Sequence, residues 1–158
     1  MLEYGSFMNH PIFLGLLLIV LSMVAVPSLI LSKKPNAKEL LDKIAPFQGW
    51  AGVFFCFWGL WNLIWILMHF EIMRIGMWGI LLWATYLAYA AITCILGFML
   101  GYNLIVEYVL SKNEKTAEKG VRVQAKLAEM QGIVGILGVI IGLWMIILFF
   151  ILKATWGF

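Results

Sequence analysis

Long runs of apolar residues alternate along the chain with short segments that carry almost all of its charge. Four of the runs reach the roughly 20 residues that a helix needs to cross a hydrocarbon core of about 30 Å. Helices suit such runs because lipid offers backbone groups no hydrogen-bond partners. The pattern therefore predicts four transmembrane helices, at about residues 11–32, 49–70, 77–104 and 132–152.

The composition excludes an ordinary water-soluble domain. Of the 158 residues, 64% are hydrophobic and only 12% are charged, whereas soluble domains are about half apolar and a quarter charged. The net charge of +3 is small and scattered, so the chain lacks the basic patch that nucleic-acid binders carry. We therefore predict one all-α integral membrane domain whose partner is membrane lipid and not nucleic acid.

The basic residues predict the orientation of the chain. Nine of the eleven Lys and Arg residues lie in two segments, at about 33–47 and 107–131, and the central turn near 71–76 holds only Arg74. The positive-inside rule places both basic segments in the cytoplasm and both termini outside. Such signals are typical of the bacterial cytoplasmic (inner) membrane.

The two basic segments lead into the second and fourth runs with matching sequence. From Lys43 the chain reads K-I-A-P-F-Q-G-W-A-G, and from Lys126 it reads K-L-A-E-M-Q-G-I-V-G. Both continue to Gly-Leu-Trp at an unchanged offset of 83 positions, with eight identities in nineteen positions, where this composition gives roughly two by accident. The match indicates an internal duplication.

The duplicated unit is a two-helix hairpin, with residues 1–75 forming the first hairpin and residues 76–158 the second. Because each hairpin crosses the membrane twice, the two enter it in the same orientation, as a parallel tandem repeat about an axis along the membrane normal. The predicted fold is a four-transmembrane-helix bundle made of these two repeats.

Glycines recur at helical spacing on the predicted spans. Close backbone approach along small residues drives helix association in lipid, so we interpret these glycines as helix-packing surfaces within or between subunits. A glycine-lined pore or lipid groove is the alternative. The set comprises Gly49, Gly52, Gly59, Gly97, Gly101, Gly132, Gly135, Gly138 and Gly142.

Three amides form a candidate polar lining. Gln48 and Gln131 lie at the cytoplasmic ends of the second and fourth spans, and Asn62 lies inside the second. We expect the two glutamines to satisfy free helix-terminal groups or to bridge helices, and Asn62 to hydrogen-bond across helices. Binding a ligand is the alternative role of the glutamines.

The cytoplasmic segments offer a surface for lipid headgroups or a protein partner. Residues 37–45 have amphipathic spacing and should form a short helix that ends at Pro46. Glu114 follows a candidate capping residue, so a second helix is expected to lead into the fourth span. The basic residues of this surface are Lys38, Lys43, Lys119, Arg122 and Lys126.

The chemistry of an enzyme is missing from the sequence. The centres of the spans carry no ionisable residue, and no nucleotide-binding loop, serine-nucleophile motif or metal-binding histidine motif is present. Cys56 and Cys94 fall at similar depth and could touch, but without a C-x-x-C motif we interpret them as small packing residues. We predict no catalytic residue, metal or cofactor, although bound lipid is compatible with the chain.

Three functions remain as hypotheses. The leading one is a non-enzymatic membrane protein that acts as an oligomerising scaffold or as an accessory subunit of a membrane complex, assembled through its glycine faces with copies of itself or with other membrane subunits. The second is a small channel or carrier with its pathway on the pseudo-twofold axis. The third is lipid or quinone binding by the abundant aromatic residues.

Overall fold

The computed structural model describes residues 10–25, 38–108 and 114–156, and every element in these ranges is helical. The α-helices are α1 (Pro11–Ala25), α2 (Lys38–Met68), α3 (Met77–Tyr108) and α4 (Glu114–Trp156), and a short 3-10 helix, Phe70–Ile75, joins α2 to α3. Within these helices the side chains at 38–46, 103, 105–108, 114–119, 121, 124, 125, 128 and 156 lie outside the description.

Three helices are long and apolar enough to cross a membrane. The candidate spans are Phe47–Met68 in α2, Met77–Tyr102 in α3 and Glu129–Thr155 in α4, and α1 is a shorter apolar helix of 15 residues. The prediction of helical structure is therefore confirmed for the described residues, and three of the four predicted spans correspond to helices that are long and apolar enough to cross a membrane. The predicted first span extends to residue 32, and its part beyond Ala25 lies outside the described residues.

Helix α3 lies between the other helices. It packs along α2 on one side and along α4 on the other, while α1 lies mainly on α4 and touches α3. A core of buried apolar side chains fills the space where α1, α3 and α4 meet. Its members are Leu14, Leu18, Leu21, Ala25, Tyr89, Ala90, Leu96, Leu100 and Met145.

The prediction that a cytoplasmic helix ends at Pro46 is wrong. Helix α2 runs without a break from Lys38 to Met68 and passes through the proline. A proline removes one intrahelical hydrogen bond, and here the apolar span follows directly. Because that span must keep its backbone hydrogen bonds internal in lipid, helix continues on the C-terminal side of Pro46. Helix α4 is likewise one helix of 43 residues from Glu114 onward.

The turn between α2 and α3 is compact. Gly76 ends the 3-10 helix with φ of 94°, a left-handed conformation that favours glycine, and its N–H donates to the carbonyl of Met73 at 3.3 Å. The Trp83 indole N–H donates to the carbonyl of Ile66 at 2.9 Å, and its ring stacks on Phe70 at 5.5 Å between centroids. These contacts hold together the ends of α2 and α3 that the turn joins.

Candidate functional site

The glycines of α2 and α3 meet each other along one antiparallel interface. A Cβ placed on Gly59 would lie 2.7 Å from the Cα of Cys94, and one on Gly97 would lie 2.8 Å from the Cα of Cys56. Between Gly52 and the Leu100–Gly101 backbone the space is equally short. Even one methyl group at these positions would overlap the opposite backbone, so the two helices approach as closely as main chains allow.

The same interface continues toward the end of the helix pair that lies away from the turn. A Cβ on Gly49 would meet the side chain of Leu104, and one on Gly101 would lie 3.1 Å from Val53. Contact positions that advance along α2 thus recede along α3, as expected for two antiparallel helices. The structure places all five predicted glycines of α2 and α3 inside the chain, between two of its own helices.

Glycines of α4 face α1 in a second interface. A Cβ on Gly142 would lie 2.8 Å from the carbonyl oxygen of Gly15, and one on Gly15 would lie 2.7 Å from the carbonyl oxygen of Gly142. A Cβ on Gly138 would overlap the hydroxyl of Ser22. Gly132 and Gly135 are buried on the same helix.

The three amides of the candidate polar lining do not meet at one point. The Gln48 amide is buried and donates to the carbonyl of Val24 in α1 at 3.3 Å. Asn62 donates to the carbonyl of Trp58 at 2.7 Å, one turn earlier in its own helix. The expectation that Asn62 bonds across helices is therefore wrong, because the carbonyl of the preceding turn already lies within reach of its amide. Gln131 is buried on α4.

The basic cytoplasmic surface is described only in part. The side chains of Lys38, Lys43 and Lys119 lie outside the described residues, although their backbones are helical. Arg122 and Lys126 are exposed on α4.

A line of polar residues along α3 was not predicted from the sequence. Thr85, Tyr89 and Thr93 follow one another at intervals of four residues, so they share one helix face, and all three are buried. Each threonine hydroxyl donates to the carbonyl four residues earlier at 2.8 Å. The Trp144 indole N–H reaches Thr85 from α4 at 3.2 Å. Their spacing of four was the available signal.

Three buried polar atoms in this region have no hydrogen-bond partner among the described residues. They are the Ser22 hydroxyl, the Trp58 indole nitrogen and the Tyr89 hydroxyl. The hydroxyl of Tyr89 lies beside the indole of Trp58 and the hydroxyl of Thr93. Such groups are costly inside lipid when unpaired.

The outward side of α2 carries a row of rings that no described residue covers. We define the aromatic face of α2 as Phe47, Trp50, Phe54, Phe57 and Trp61, which follow one another at intervals of three and four residues and are all exposed. The row extends over about 21 Å of helix. Phe57, at the centre of the span, is 70% exposed.

The corresponding side of α4 is also exposed, but it is chiefly aliphatic. At the 83-residue offset, the first four positions of the aromatic face correspond to Met130, Ile133, Leu137 and Ile140, and Ile140 is 57% exposed. Only Trp61 has an aromatic counterpart, Trp144. The two helices therefore present different surfaces to their surroundings.

The two cysteines are neighbours across the α2–α3 interface. Both are free thiols, both are half-buried, and each faces a glycine of the opposite helix three residues from the other cysteine. The sequence expectation that they could touch holds in this geometry.

One small recess opens between α1, α3 and α4. Its lining includes Pro11, Leu82, Tyr86, Met145 and Phe149, and its volume of about 10 Å³ corresponds to roughly one water molecule. Among the described residues, the side chains of His, Cys, Asp and Glu form no group of three or more that could hold a metal ion.

Comparisons of the chain with models of protein families, with curated proteins and with solved structures find no match.

Proposed function

We propose that this chain is a non-enzymatic membrane subunit that assembles with another transmembrane protein through the aromatic face of α2. Its role is that of a scaffold or accessory subunit in a membrane complex. The observation that carries the proposal is the contrast between the exposed rings of α2 and the exposed aliphatic side chains of α4.

The contrast is informative because lipid makes the same demand on both helices. Acyl chains solvate leucine and isoleucine as well as they solvate phenylalanine, so lipid contact alone gives no reason for a continuous row of five rings along α2. Interfacial aromatic belts account for rings at the two membrane surfaces. They do not account for Phe54 and Phe57, which lie near the middle of the span.

Rings suit a protein partner for two physical reasons. Phe and Trp offer large contact areas and have only two side-chain torsions to immobilise, so ordering them costs little entropy. Packing of rigid shapes also supplies the dispersion energy that replaces the hydrophobic effect in helix association within lipid.

The glycine faces serve a different purpose in this proposal. Gly52, Gly59, Gly97 and Gly142 already pack on helices of the same chain, so they are not open to a second protein. Their role is to bring the four helices together into one rigid unit. The aromatic face of α2 is then the surface through which that unit assembles.

We also propose that the unit is a four-helix bundle of two parallel hairpin repeats, residues 1–75 and 76–158. Two equivalent contacts support this. Gly59 packs on Cys94, and Gly142 packs on Gly15. Gly59 and Gly142 are 83 positions apart, which is the offset of the repeat. Their contacts Cys94 and Gly15 are 79 positions apart, which is the offset between Leu31-Ser32-Lys33 and Leu110-Ser111-Lys112.

In the proposed topology both termini and the α2–α3 turn face outward, and the two basic segments face the cytoplasm. The antiparallel contacts of α2 with α3 and of α1 with α4 support alternating directions through the membrane. The segregation of Lys and Arg supports the assignment of sides and a bacterial-type cytoplasmic membrane.

Native mass spectrometry of the full chain, extracted gently from its own membrane, tests the assembly. We expect a complex in which the chain binds another transmembrane subunit or a second copy of itself. The variant W50L/F57L should release the chain as a monomer. The matched control F150L, which removes a ring of 57% exposure from α4, should leave the complex intact.

A monomeric wild-type chain, or a W50L/F57L variant that assembles as the wild type does, would exclude this function. A co-purifying ring-bearing lipid that W50L/F57L loses, with no protein partner, would instead favour the lipid- or quinone-binding hypothesis. The channel hypothesis has less support because Gln48 and Asn62 each donate to a backbone carbonyl.

A further inference from the structure

The contact between α2 and α3 holds a pair of thiols that the packing role of its glycines does not require. Cys56 and Cys94 face glycines of the opposite helix, Gly97 and Gly59 respectively. We propose that Cys56 and Cys94 form a redox-active dithiol within the membrane, which closes to an intramolecular disulfide by passing two electrons to a lipid-soluble quinone.

The backbone geometry places the two cysteines at a disulfide-compatible separation. The Cα of Cys94 lies within 2.7 Å of a Cβ on Gly59, and the Cα of Cys56 lies within 2.8 Å of a Cβ on Gly97. Each facing pair of Cα atoms is therefore separated by roughly 4 Å, and Cα atoms three residues apart along a helix are separated by about 5 Å.

The Cα atoms of these two cysteines and of the two facing glycines form a rough rectangle, and the cysteines occupy opposite corners. The distance between the two cysteine Cα atoms is therefore roughly 6 to 7 Å, and disulfides join Cα atoms about 4.4–6.8 Å apart. The Cβ of Cys94 lies 3.0 Å from a Cβ on Gly59, which is one turn from Cys56 on the same helix, and the two thiols are close enough to interact electrostatically. Closure thus needs side-chain rotation and little backbone movement.

The reaction is balanced, and neither its reactants nor its products carry a charge. Two S–H bonds break and one S–S bond forms, while the two electrons and two protons pass to the quinone carbonyl oxygens to give a quinol. Dithiol, disulfide, quinone and quinol are all uncharged, so burial in hydrocarbon disfavours neither end state. Both cysteines are half-buried rather than enclosed, which leaves the pair accessible from the lipid phase.

The consequence of closure is a covalent link between α2 and the rest of the bundle. Helix α2 carries the aromatic face, and α3 lies at the centre of the helix arrangement. The redox inference rests on the thiol geometry and does not depend on the partner-binding role of the aromatic face.

The test uses the full chain reconstituted in phosphatidylcholine vesicles that contain ubiquinone-2. After incubation the protein is denatured, treated with N-ethylmaleimide and weighed by intact-mass spectrometry. We expect the wild type to lose both alkylation sites and two hydrogen atoms, and to regain both sites after dithiothreitol. Copper-phenanthroline in a parallel sample shows whether the two sulfurs can join at all.

A matched variant controls for the number of thiols. C94S/I95C keeps two cysteines but moves one to a lipid-facing position of α3, and it should retain both alkylation sites. Retention of both sites by the wild type with ubiquinone-2 would overturn the proposal, whether or not copper-phenanthroline closes the pair. A covalent dimer in place of an internal disulfide would overturn it as well.

Discussion

The indole N–H of Trp144 donates a hydrogen bond to the hydroxyl oxygen of Thr85, with 3.2 Å between the two heavy atoms. The threonine hydroxyl in turn donates to the carbonyl of Leu81 at 2.8 Å. The hydroxyl therefore hydrogen-bonds to both α3 and α4 and links the two helices. Lipid offers no competing hydrogen-bond partner in this region.

We expect this tie to contribute modestly to stability. Interhelical hydrogen bonds in membrane proteins average about 0.6 kcal/mol in double-mutant cycles. The variants W144F and T85V, alone and combined, should give a coupling free energy of that size in reversible unfolding from mixed micelles. A coupling free energy near zero would show that the contact contributes nothing.

Gly52→Leu should disrupt the pairing of α2 with α3. A Cβ at this position already lies 2.6 Å from the carbonyl carbon of Leu100, and overpacking in well-packed interiors costs roughly 1–3 kcal/mol or more. We expect a lower thermal-unfolding temperature in detergent. We also expect a lower yield of the proposed Cys56–Cys94 disulfide in the ubiquinone-2 assay. Ala84→Leu, a comparable enlargement at an exposed position of α3, should behave as the wild type.

Trp83→Phe should loosen the end of the α2–α3 pair beside the turn. The variant keeps a ring to stack on Phe70 but loses the hydrogen bond to the carbonyl of Ile66. A hydrogen bond of this kind contributes about 1 kcal/mol, so a measurable fall in thermal stability is expected. The same change at Trp78, on the exposed side of α3, should have a smaller effect, and equal effects would contradict this role.

Gln48→Met should weaken the attachment of α1 to α2. The substitution keeps the length of the side chain and removes the donor to the carbonyl of Val24. We expect faster hydrogen exchange at the C-terminal end of α1, measured by mass spectrometry, with the α2–α3 contacts unaffected. Unchanged exchange in α1 would mean that apolar packing alone holds this helix.

The proposed orientation is testable on single-cysteine variants. In a chain with Cys56 and Cys94 replaced by serine, K126C should react with a membrane-impermeant maleimide only in inside-out vesicles, and R74C only in right-side-out vesicles. Both positions are exposed in the structure. The reverse pattern would invert the topology and leave the helix packing unchanged.

Much of the helical structure could be predicted from the chain because its causes are local. Apolar runs must satisfy their backbone groups internally in lipid, so the spans in α2, α3 and α4 follow from length and hydropathy. The helix end expected at Pro46 was wrong because a proline removes only one intrahelical hydrogen bond, and the apolar span that follows it keeps the chain helical. Asn62 shows a similar error, since its amide can share the carbonyl of Trp58, one turn earlier in its own helix.

The sequence does not determine which helix packs against each helix face. The glycine spacing identified the faces that carry small residues, but in lipid an apolar face can pack equally well on an acyl chain or on any helix that fits it. Only the packing of distant residues decided that Gly59 meets Cys94 and that Gly142 meets Gly15. The same packing left the rings of α2 outward and brought two thiols together, because close contact depends on the shapes of both surfaces and not on the pattern of either helix alone.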